Sequence, residues 1–450
     1  MQPGTRDFLG HPRGLTFLFA TEMWERFSYY GMRALLVLYM TKYLFQPDQV
    51  QGVLGLATLR RGLETLSGPL EAQPLASEIY GLYTGLVYLA PLFGGLLADR
   101  VLGQRRTVII GAALMALGHF MMAFQSLLLF ALPTLILGNG AFKPNISTQV
   151  GGLYQPGDPR RDRAYSIFYV GINLGAFLAP FVCGTLGEEL GWHYGFAMAG
   201  VGMLIGLAVY IYAWPMLPPD QPSNVSGGRA GTLSPQERRG IVALLILFLP
   251  VTLFWATYEQ QGNTVALWAD AYTDRTIHLV FWTSEIPTTW FQGFNPLMII
   301  VLTPIVIALW ARQAKTGSEP STVSKMAIGC LGVALANLIM SVAAVGAQPN
   351  NGVSWLWLLA YFVVITVGEL YLSPIGLSLV SKIAPARLIS MLMGLWLGTS
   401  FIGNFIAGWL GSFWNSMDKA QFFLMIAAVA GTASAAMFVF TRQLNSILDD

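Results

Sequence analysis

The sequence predicts an all-α integral membrane protein with twelve membrane-spanning helices, and three observations support this fold class. Of its 450 residues, 54% are hydrophobic and only 11% are charged, against roughly 25% in soluble domains. Twelve separate apolar segments approach or exceed the span length of about 20 residues. Lysine and arginine are also unequally distributed between the two sides that these segments define. This composition argues against a disordered chain, a nucleic-acid binder or an ordinary soluble enzyme.

The apolar segments leave little chain outside the membrane. They lie at about 14–44, 78–98, 107–125, 127–149, 165–187, 194–215, 240–268, 292–311, 324–346, 354–380, 387–411 and 420–441. The polar stretch 216–239 is rich in Pro, Gly and Ser, which is typical of a flexible linker. We therefore predict a six-helix bundle at 1–215, a cytoplasmic linker at 216–239 and a second six-helix bundle at 240–450.

The placement of basic residues predicts the orientation. If the N-terminus is cytoplasmic, 17 of the 25 lysines and arginines lie on the cytoplasmic side, 5 on the opposite side and 3 within spans. Cytoplasmic loops of membrane proteins carry an excess of Lys and Arg. Both termini and the linker are therefore expected in the cytoplasm, as in a multi-pass protein of the bacterial inner membrane.

Two outer segments are longer than simple turns. Residues 46–76 contain an apolar stripe at helical spacing, which favours an interfacial or capping helix. Residues 270–291 contain TIHLVFW, which predicts a short strand. The sequence assigns no function to either segment.

Charged side chains within spans are expensive in lipid and are therefore functional candidates. At about 100° per residue, six side chains of the first span fall on one stripe. They are Glu22, Glu25, Arg26, Tyr29, Tyr30 and Arg33. A Glu22–Arg26 pair at i,i+4 spacing could serve only to join helices. A polar face of this extent is better explained by a water-filled cavity.

Three other spans carry charge at mid-depth, and the set is unbalanced. Lys143 precedes Pro144, Glu259 lies one turn after Trp255, and Glu369 is close to a proline. Together with the first span this gives four acids and three bases, so one added proton makes the set neutral. We interpret the four helices as contributing to one polar centre for a proton and a zwitterionic solute. The sequence contains no recognisable metal cluster, nucleotide-binding motif or nucleophile motif, so we predict neither an enzyme nor a metal site.

These residues resemble the proton-dependent oligopeptide transporter family of the major facilitator superfamily. The similar motifs are the Glu22-x-x-Glu25-Arg26 run, GNGAFKPN (138–145), FYVGINLGAFLAP (168–180), EQQGN (259–263), FNPL (294–297), GELYLSP (368–374) and MGLWLGTSFIGNFIAG (393–408). The stretch GGLLADRVLGQRRT (94–107) is similar to a superfamily loop. The matches follow in order along nearly the whole chain.

The resemblance implies a symporter that imports di- and tripeptides with protons, by alternating access between two six-helix bundles. It implies protons as the coupling ion without other cofactors, and a monomer as the functional unit. The implied contacts of the peptide carboxylate are Arg26, Lys143 and Tyr30, and those of its amino group are Asn173, Asn295 and Glu369. The implied pocket residues are Tyr29, Tyr80, Trp255 and Trp396. The implied proton-handling residues are Glu22, Glu25 and Glu259, the last also near substrate, and the implied gate residues are Arg33 and Lys143.

Some features depart from the family. Many bacterial relatives insert two helices between the bundles, for which the linker here is too short, and some have a proton-active histidine in the second span that this chain lacks. An alternative is a major facilitator carrier for another anionic or zwitterionic solute, such as nitrate or amino-acid conjugates. The intact Glu22-x-x-Glu25-Arg26 run favours peptides.

Overall fold

The protein is described by a computed structural model that is helical over most of its length. It describes residues 7–8, 10–155, 158, 160–220, 234–279, 282–349, 352–385 and 388–448. The larger part of the predicted linker, residues 221–233, lies outside the described residues. The boundary between predicted bundles therefore remains a prediction.

Fourteen α-helices follow one another through the described residues. They are α1 Arg13–Tyr39, α2 Leu56–Ser67, α3 Ala72–Leu97, α4 Gln104–Met122, α5 Leu128–Gly152, α6 Arg160–Ala179, α7 Trp192–Ala213, α8 Pro235–Tyr258, α9 Thr264–Ala271, α10 Phe294–Lys315, α11 Thr322–Ala344, α12 Leu356–Ile383, α13 Ile389–Gly411 and α14 Lys419–Leu448. Wider helical turns extend α1 to Leu44 and α6 to Leu190.

Each predicted span coincides with one of these helical segments. Ten segments in the described part are long and apolar enough to cross a membrane. The other two predicted spans are α1 and α4. Helix α1 carries four charged residues at mid-depth, while α4 begins with the polar run Gln-Arg-Arg and has only 19 residues, or about 28 Å at 1.5 Å per residue.

Helices α8 and α9 form one span that is interrupted in the middle. A tighter 3₁₀ turn occupies Glu259–Gly262 between them. Irregular backbone at membrane depth is tolerated where it is buried in protein or lines a cavity, and it frequently marks functional positions. The interruption falls on the EQQGN motif that the sequence singled out.

The chain forms two compact units. The first comprises residues 1–72, 86–224 and 287–297, and the second comprises 73–85, 225–286 and 298–450. Each unit therefore includes a short piece from the other half of the sequence.

Small residues bring the site-bearing helices of each unit together. In the first unit, Gly175 of α6 lies against the backbone carbonyl of Met23 on α1, where a Cβ would collide. In the second unit, a Cβ on Gly403 of α13 would lie 2.5 Å from the Cβ of Trp255 on α8. Close approach of this kind is typical of packing between transmembrane helices.

The short strands lie at the ends of the helices. They are β1 Asp7–Phe8, β2 His11–Pro12, β3 Thr273–Asp274, β4 Thr276–Leu279, β5 Trp282–Glu285 and β6 Val353–Ser354. Strands β1 and β2 pair antiparallel, as do β4 and β5, whereas β3 and β6 pair parallel. The strand predicted in TIHLVFW is thus confirmed, and its partner is β5.

Helix α2 confirms the helix predicted within 46–76. Of its apolar stripe, Leu56 and Leu63 are buried, while Leu66 is 76% exposed. On its polar side, Arg60 Nε donates to Glu64 Oε1 at 2.9 Å, and the backbone N–H of Leu70 donates to the same oxygen at 3.1 Å. The helix and the turn after it are therefore fastened by one carboxylate.

Candidate functional site

The polar face of α1 forms a buried ion cluster in the first unit. Glu22, Glu25 and Arg26 are 2%, 0% and 4% exposed. Arg26 donates through Nη2 to Glu25 Oε1 at 2.6 Å, and its Nε bonds the second Glu25 oxygen. The same Nε lies 3.3 Å from Glu22 Oε1, whereas Glu22 Oε2 has no hydrogen-bond partner among the described residues. One guanidinium therefore serves two carboxylates, and one carboxylate oxygen is left without a donor.

Helix α5 contributes an amide and an ammonium. Asn139 Nδ2 donates to Glu25 Oε1 at 3.4 Å, so Glu25 is contacted from two helices. Lys143 Nζ lies 5.2 Å from the ring centroid of Tyr88 on α3. A cation at this distance from an aromatic face is stabilised by the ring quadrupole.

The remaining residues of the stripe contact each other through their rings. The Arg26 guanidinium lies 5.2 Å from the ring centroid of Tyr29, and that of Arg33 lies 5.9 Å from Tyr30. The two tyrosine rings meet edge to face at 5.3 Å. The helical-wheel prediction that these six residues share one face therefore agrees with their observed contacts.

Two asparagines also lie in the first unit, and the family resemblance implies that they contact the peptide amino group. Asn173 on α6 is 5% exposed, and its Nδ2 donates to the Tyr169 carbonyl of its own helix at 3.0 Å. Asn295 is the second residue of α10 and is half-buried. The amide oxygen of an asparagine can accept a bond from an ammonium group.

The second unit contains an acidic and aromatic cluster built on α8 and α12. Tyr258 donates through its hydroxyl to Glu369 Oε2 at 2.6 Å. Its ring stacks on Phe254 at 5.5 Å and meets Trp255 edge to face at 5.5 Å. Glu369 is half-buried and Trp255 is 8% exposed. Sequence reasoning missed Tyr258, because its partner lies 111 residues away.

Glu259 begins the interruption between α8 and α9 and is 1% exposed. Neighbouring polar side chains hold this turn. Gln260 Nε2 donates to the Ala407 carbonyl at 2.9 Å, and Asn263 Oδ1 accepts from Ser77 at 2.8 Å. The turn is thereby attached to α13 and to the first half of α3.

The two remaining predicted pocket residues are buried in the second unit. Tyr80 on α3 is 0% exposed and Trp396 on α13 is 3% exposed. Trp396 contacts Phe248 at a centroid distance of 6.2 Å. The predicted residues thus fall into two groups. The first unit holds Glu22, Glu25, Arg26, Tyr29, Tyr30, Arg33, Lys143, Asn173 and Asn295, and the second holds Tyr80, Trp255, Glu259, Glu369 and Trp396.

Comparisons with known proteins agree with these motifs. The model of the POT family matches residues 105–228 and 225–428. The peptide transporter YePEPT of Yersinia enterocolitica is 36% identical, with 91% of this chain and 89% of that protein covered. A di-/tripeptide transporter of Lactococcus lactis is 32% identical, with 99% and 98% covered.

A crystal structure of the peptide transporter POT in complex with sulfate has the same architecture. Its TM-score with this chain is 0.85 at 31% identity, with 98% of this chain and 97% of that chain covered. The predicted fold, an all-α membrane protein of the twelve-span major facilitator type, is confirmed.

Proposed function

The chain belongs to the POT family, and from that premise we propose that it imports di- and tripeptides together with protons by alternating access. Named relatives that transport peptides support the substrate class. The observation that carries the proposal is the buried Arg26, shared by Glu22 and Glu25. The guanidinium of Arg26 offers paired donors to a carboxylate, and the two glutamates are groups that can take up a proton.

In this proposal the α1–α5 cluster takes the peptide carboxylate. Arginine offers a planar pair of donors to a carboxylate, and Lys143 adds a point charge with Tyr30 as a hydroxyl donor. Tyr29, Tyr80, Trp255 and Trp396 are proposed to contact the peptide side chains. Adaptable aromatic contacts fit a carrier that derives its affinity from the constant peptide termini.

The peptide amino group is proposed to meet Glu369, Asn173 and Asn295. A glutamate and two amide oxygens are suitable acceptors for an ammonium. The bond from Tyr258 supports this role for Glu369, because it orients the carboxylate between α8 and α12. A carrier for simple anions such as nitrate has no use for such an acceptor.

Protons are proposed to be the coupling ion, with no other cofactor. Glu22, Glu25 and Glu259 are the proposed carriers of the proton, with Arg33 and Lys143 in the gate. Four acids and three bases in these spans support uptake of one compensating proton. The proposed setting is the bacterial inner membrane, with both termini and the 216–239 linker cytoplasmic and a monomer as the functional unit.

Uptake into liposomes tests the proposal. Purified protein is reconstituted, and entry of labelled dialanine is measured with and without an imposed inward proton gradient. We expect accumulation only with the gradient. Equal entry under both conditions would refute proton coupling, and no entry of any di- or tripeptide would refute the substrate class.

Glu259→Gln separates the proton route from peptide binding. The variant is expected to retain peptide exchange between the two sides of the membrane and to lose gradient-driven accumulation. The matched control is Glu71→Gln at the exposed residue before α3, which should accumulate normally. Normal accumulation by Glu259→Gln would remove that residue from the proton route.

A further inference from the structure

A carboxylate outside the two candidate clusters holds together the predicted outer ends of two spans. Glu188 lies in the turn that extends α6. Its oxygens accept three hydrogen bonds from the start of the helical stretch that leads into α10. Oε2 accepts from the backbone N–H of Thr288 at 2.9 Å, while Oε1 accepts from the backbone N–H and hydroxyl of Thr289 at 2.7 and 2.6 Å. We call this contact, from Glu188 to Thr288 and Thr289, the outer clamp.

The surroundings of the outer clamp are tightly packed. Trp290 donates through Nε1 to the Thr185 hydroxyl at 2.8 Å, and its ring lies 4.8 Å from that of Phe181. Gly184 faces Thr289 so closely that a Cβ would collide with the threonine side chain. Thr289 itself is 0% exposed. The α6 extension and residues 288–293 thus form one interlocked surface.

This contact joins the two halves of the sequence. Helix α6 is the fifth span, and the helical stretch that begins at Thr288 is the eighth. Residues 287–297 come from the second half of the sequence but belong to the first compact unit. A carrier that moves its first six spans against its last six must break such a contact whenever its outer side opens.

Charge explains why a glutamate suits this position. A carboxylate offers acceptor sites on both oxygens, and here it satisfies two backbone donors at the start of a helical segment. Bonds to a charged acceptor are stronger than neutral ones. Yet there are only three of them, and the carboxylate that accepts them is half-buried. The contact can therefore form and break in each cycle.

We propose that Glu188 is a positioning residue of transport, whose clamp on Thr288 and Thr289 favours the outward-closed state and is released when the carrier opens outward. The proposal rests on the alternating-access function proposed above. Glu188→Gln keeps the shape but gives up one acceptor oxygen, because the amide nitrogen cannot accept. The outward-open fraction should therefore rise.

A buried thiol reports this opening directly. Thr288→Cys places a thiol at a position that is 2% exposed and retains the backbone N–H of the clamp. Purified protein is reacted with a soluble maleimide, and the parent without Thr288→Cys corrects for the buried Cys183 and Cys330. We expect labelling to be about tenfold faster with Glu188→Gln. The loss of one hydrogen bond to a charged group shifts an equilibrium by about that factor or more. The matched control is Glu189→Gln at the exposed neighbour, which should label at the same rate as Thr288→Cys alone.

Transport kinetics exclude a merely local loosening. A larger outward-open fraction should lower the apparent KM for external dialanine severalfold, because apparent affinity scales with the competent fraction. Thr289→Val removes only the hydroxyl bond and should give a smaller change of the same sign. Unchanged labelling, or faster labelling with an unchanged KM, would overturn the proposal. Labelling requires no peptide, so a failure of dialanine uptake in the parent would refute the proposed substrate and leave the clamp measurable.

Discussion

Tyr258→Phe removes one hydroxyl from the α8–α12 cluster and leaves its packing in place. The phenylalanine ring can retain the stack on Phe254 and the edge contact with Trp255. What is lost is the 2.6 Å bond to Glu369, together with a side-chain hydrogen bond to Gln261. The variant therefore tests whether the orientation of Glu369 matters for the proposed binding of the peptide amino group.

The expected size of the effect follows from the charge of the acceptor. Hydrogen bonds to charged groups contribute about 1.5–3 kcal/mol, and a factor of ten in affinity corresponds to about 1.4 kcal/mol. The KM for dialanine should rise at least about tenfold while the maximal rate changes little. Thermal stability in detergent should stay close to that of the parent, since the ring contacts remain.

Initial rates of dialanine uptake into liposomes, measured over a range of concentrations, give KM and the maximal rate separately. Tyr361→Phe is the matched control, because the Tyr361 hydroxyl is buried without a hydrogen-bond partner among the described residues. Removal of that hydroxyl should leave KM unchanged. An unchanged or lower KM in Tyr258→Phe, or an equal rise in both variants, would refute the positioning role.

Three further predictions concern other parts of the chain. Gly81→Leu should strongly impair transport and lower the melting temperature in detergent, because a Cβ there lies 2.6 Å from Gly408 Cα; parental values of both would show that α3 and α13 separate freely at this point. The backbone N–H of Leu70, followed by Arg60, holds the pKa of the partly exposed Glu64 below its usual 4.5. Its contribution to local stability is therefore present above pH 4.5 and is lost as the pH falls through the lowered pKa. Hydrogen exchange of residues 56–70 should accelerate in acid in the parent but not in Glu64→Gln. Ser234→Ala breaks the capping box at the start of α8 and should cost about 1 kcal/mol, measured by denaturant unfolding, with no change in KM.

The sequence alone predicts the polar face of α1, because helical spacing places its six residues on one stripe. It predicts the ion pairing less well. The i,i+4 rule favours Glu22 as the partner of Arg26, yet the closer partner is the adjacent Glu25. Long side chains reach each other across neighbouring positions when burial removes the alternative of bonding to water.

Contacts between distant residues were beyond sequence reasoning. The bond from Tyr258 to Glu369 spans 111 positions and that from Thr289 to Glu188 spans 101. Neither pair shares a helix or a motif. The sequence marks Glu369 as a charge at mid-depth but gives no sign of its partner, and Glu188 resembles an ordinary polar residue near a span end. Only the packing of helices determines which of them meet.

The geometry at Arg26 gives a physical reason for coupling peptide to proton in the proposed cycle. Both carboxylates already use the donors of its guanidinium. We propose that a peptide carboxylate competes with one of them for Arg26. A glutamate displaced in this way would be a buried charge without its partner, which costs about 3–5 kcal/mol. A proton on the displaced glutamate removes that charge, so the peptide and the proton enter together at the lowest cost. Glu22 is the better candidate for displacement, because its pair is longer and its second oxygen has no donor, whereas Asn139 also holds Glu25.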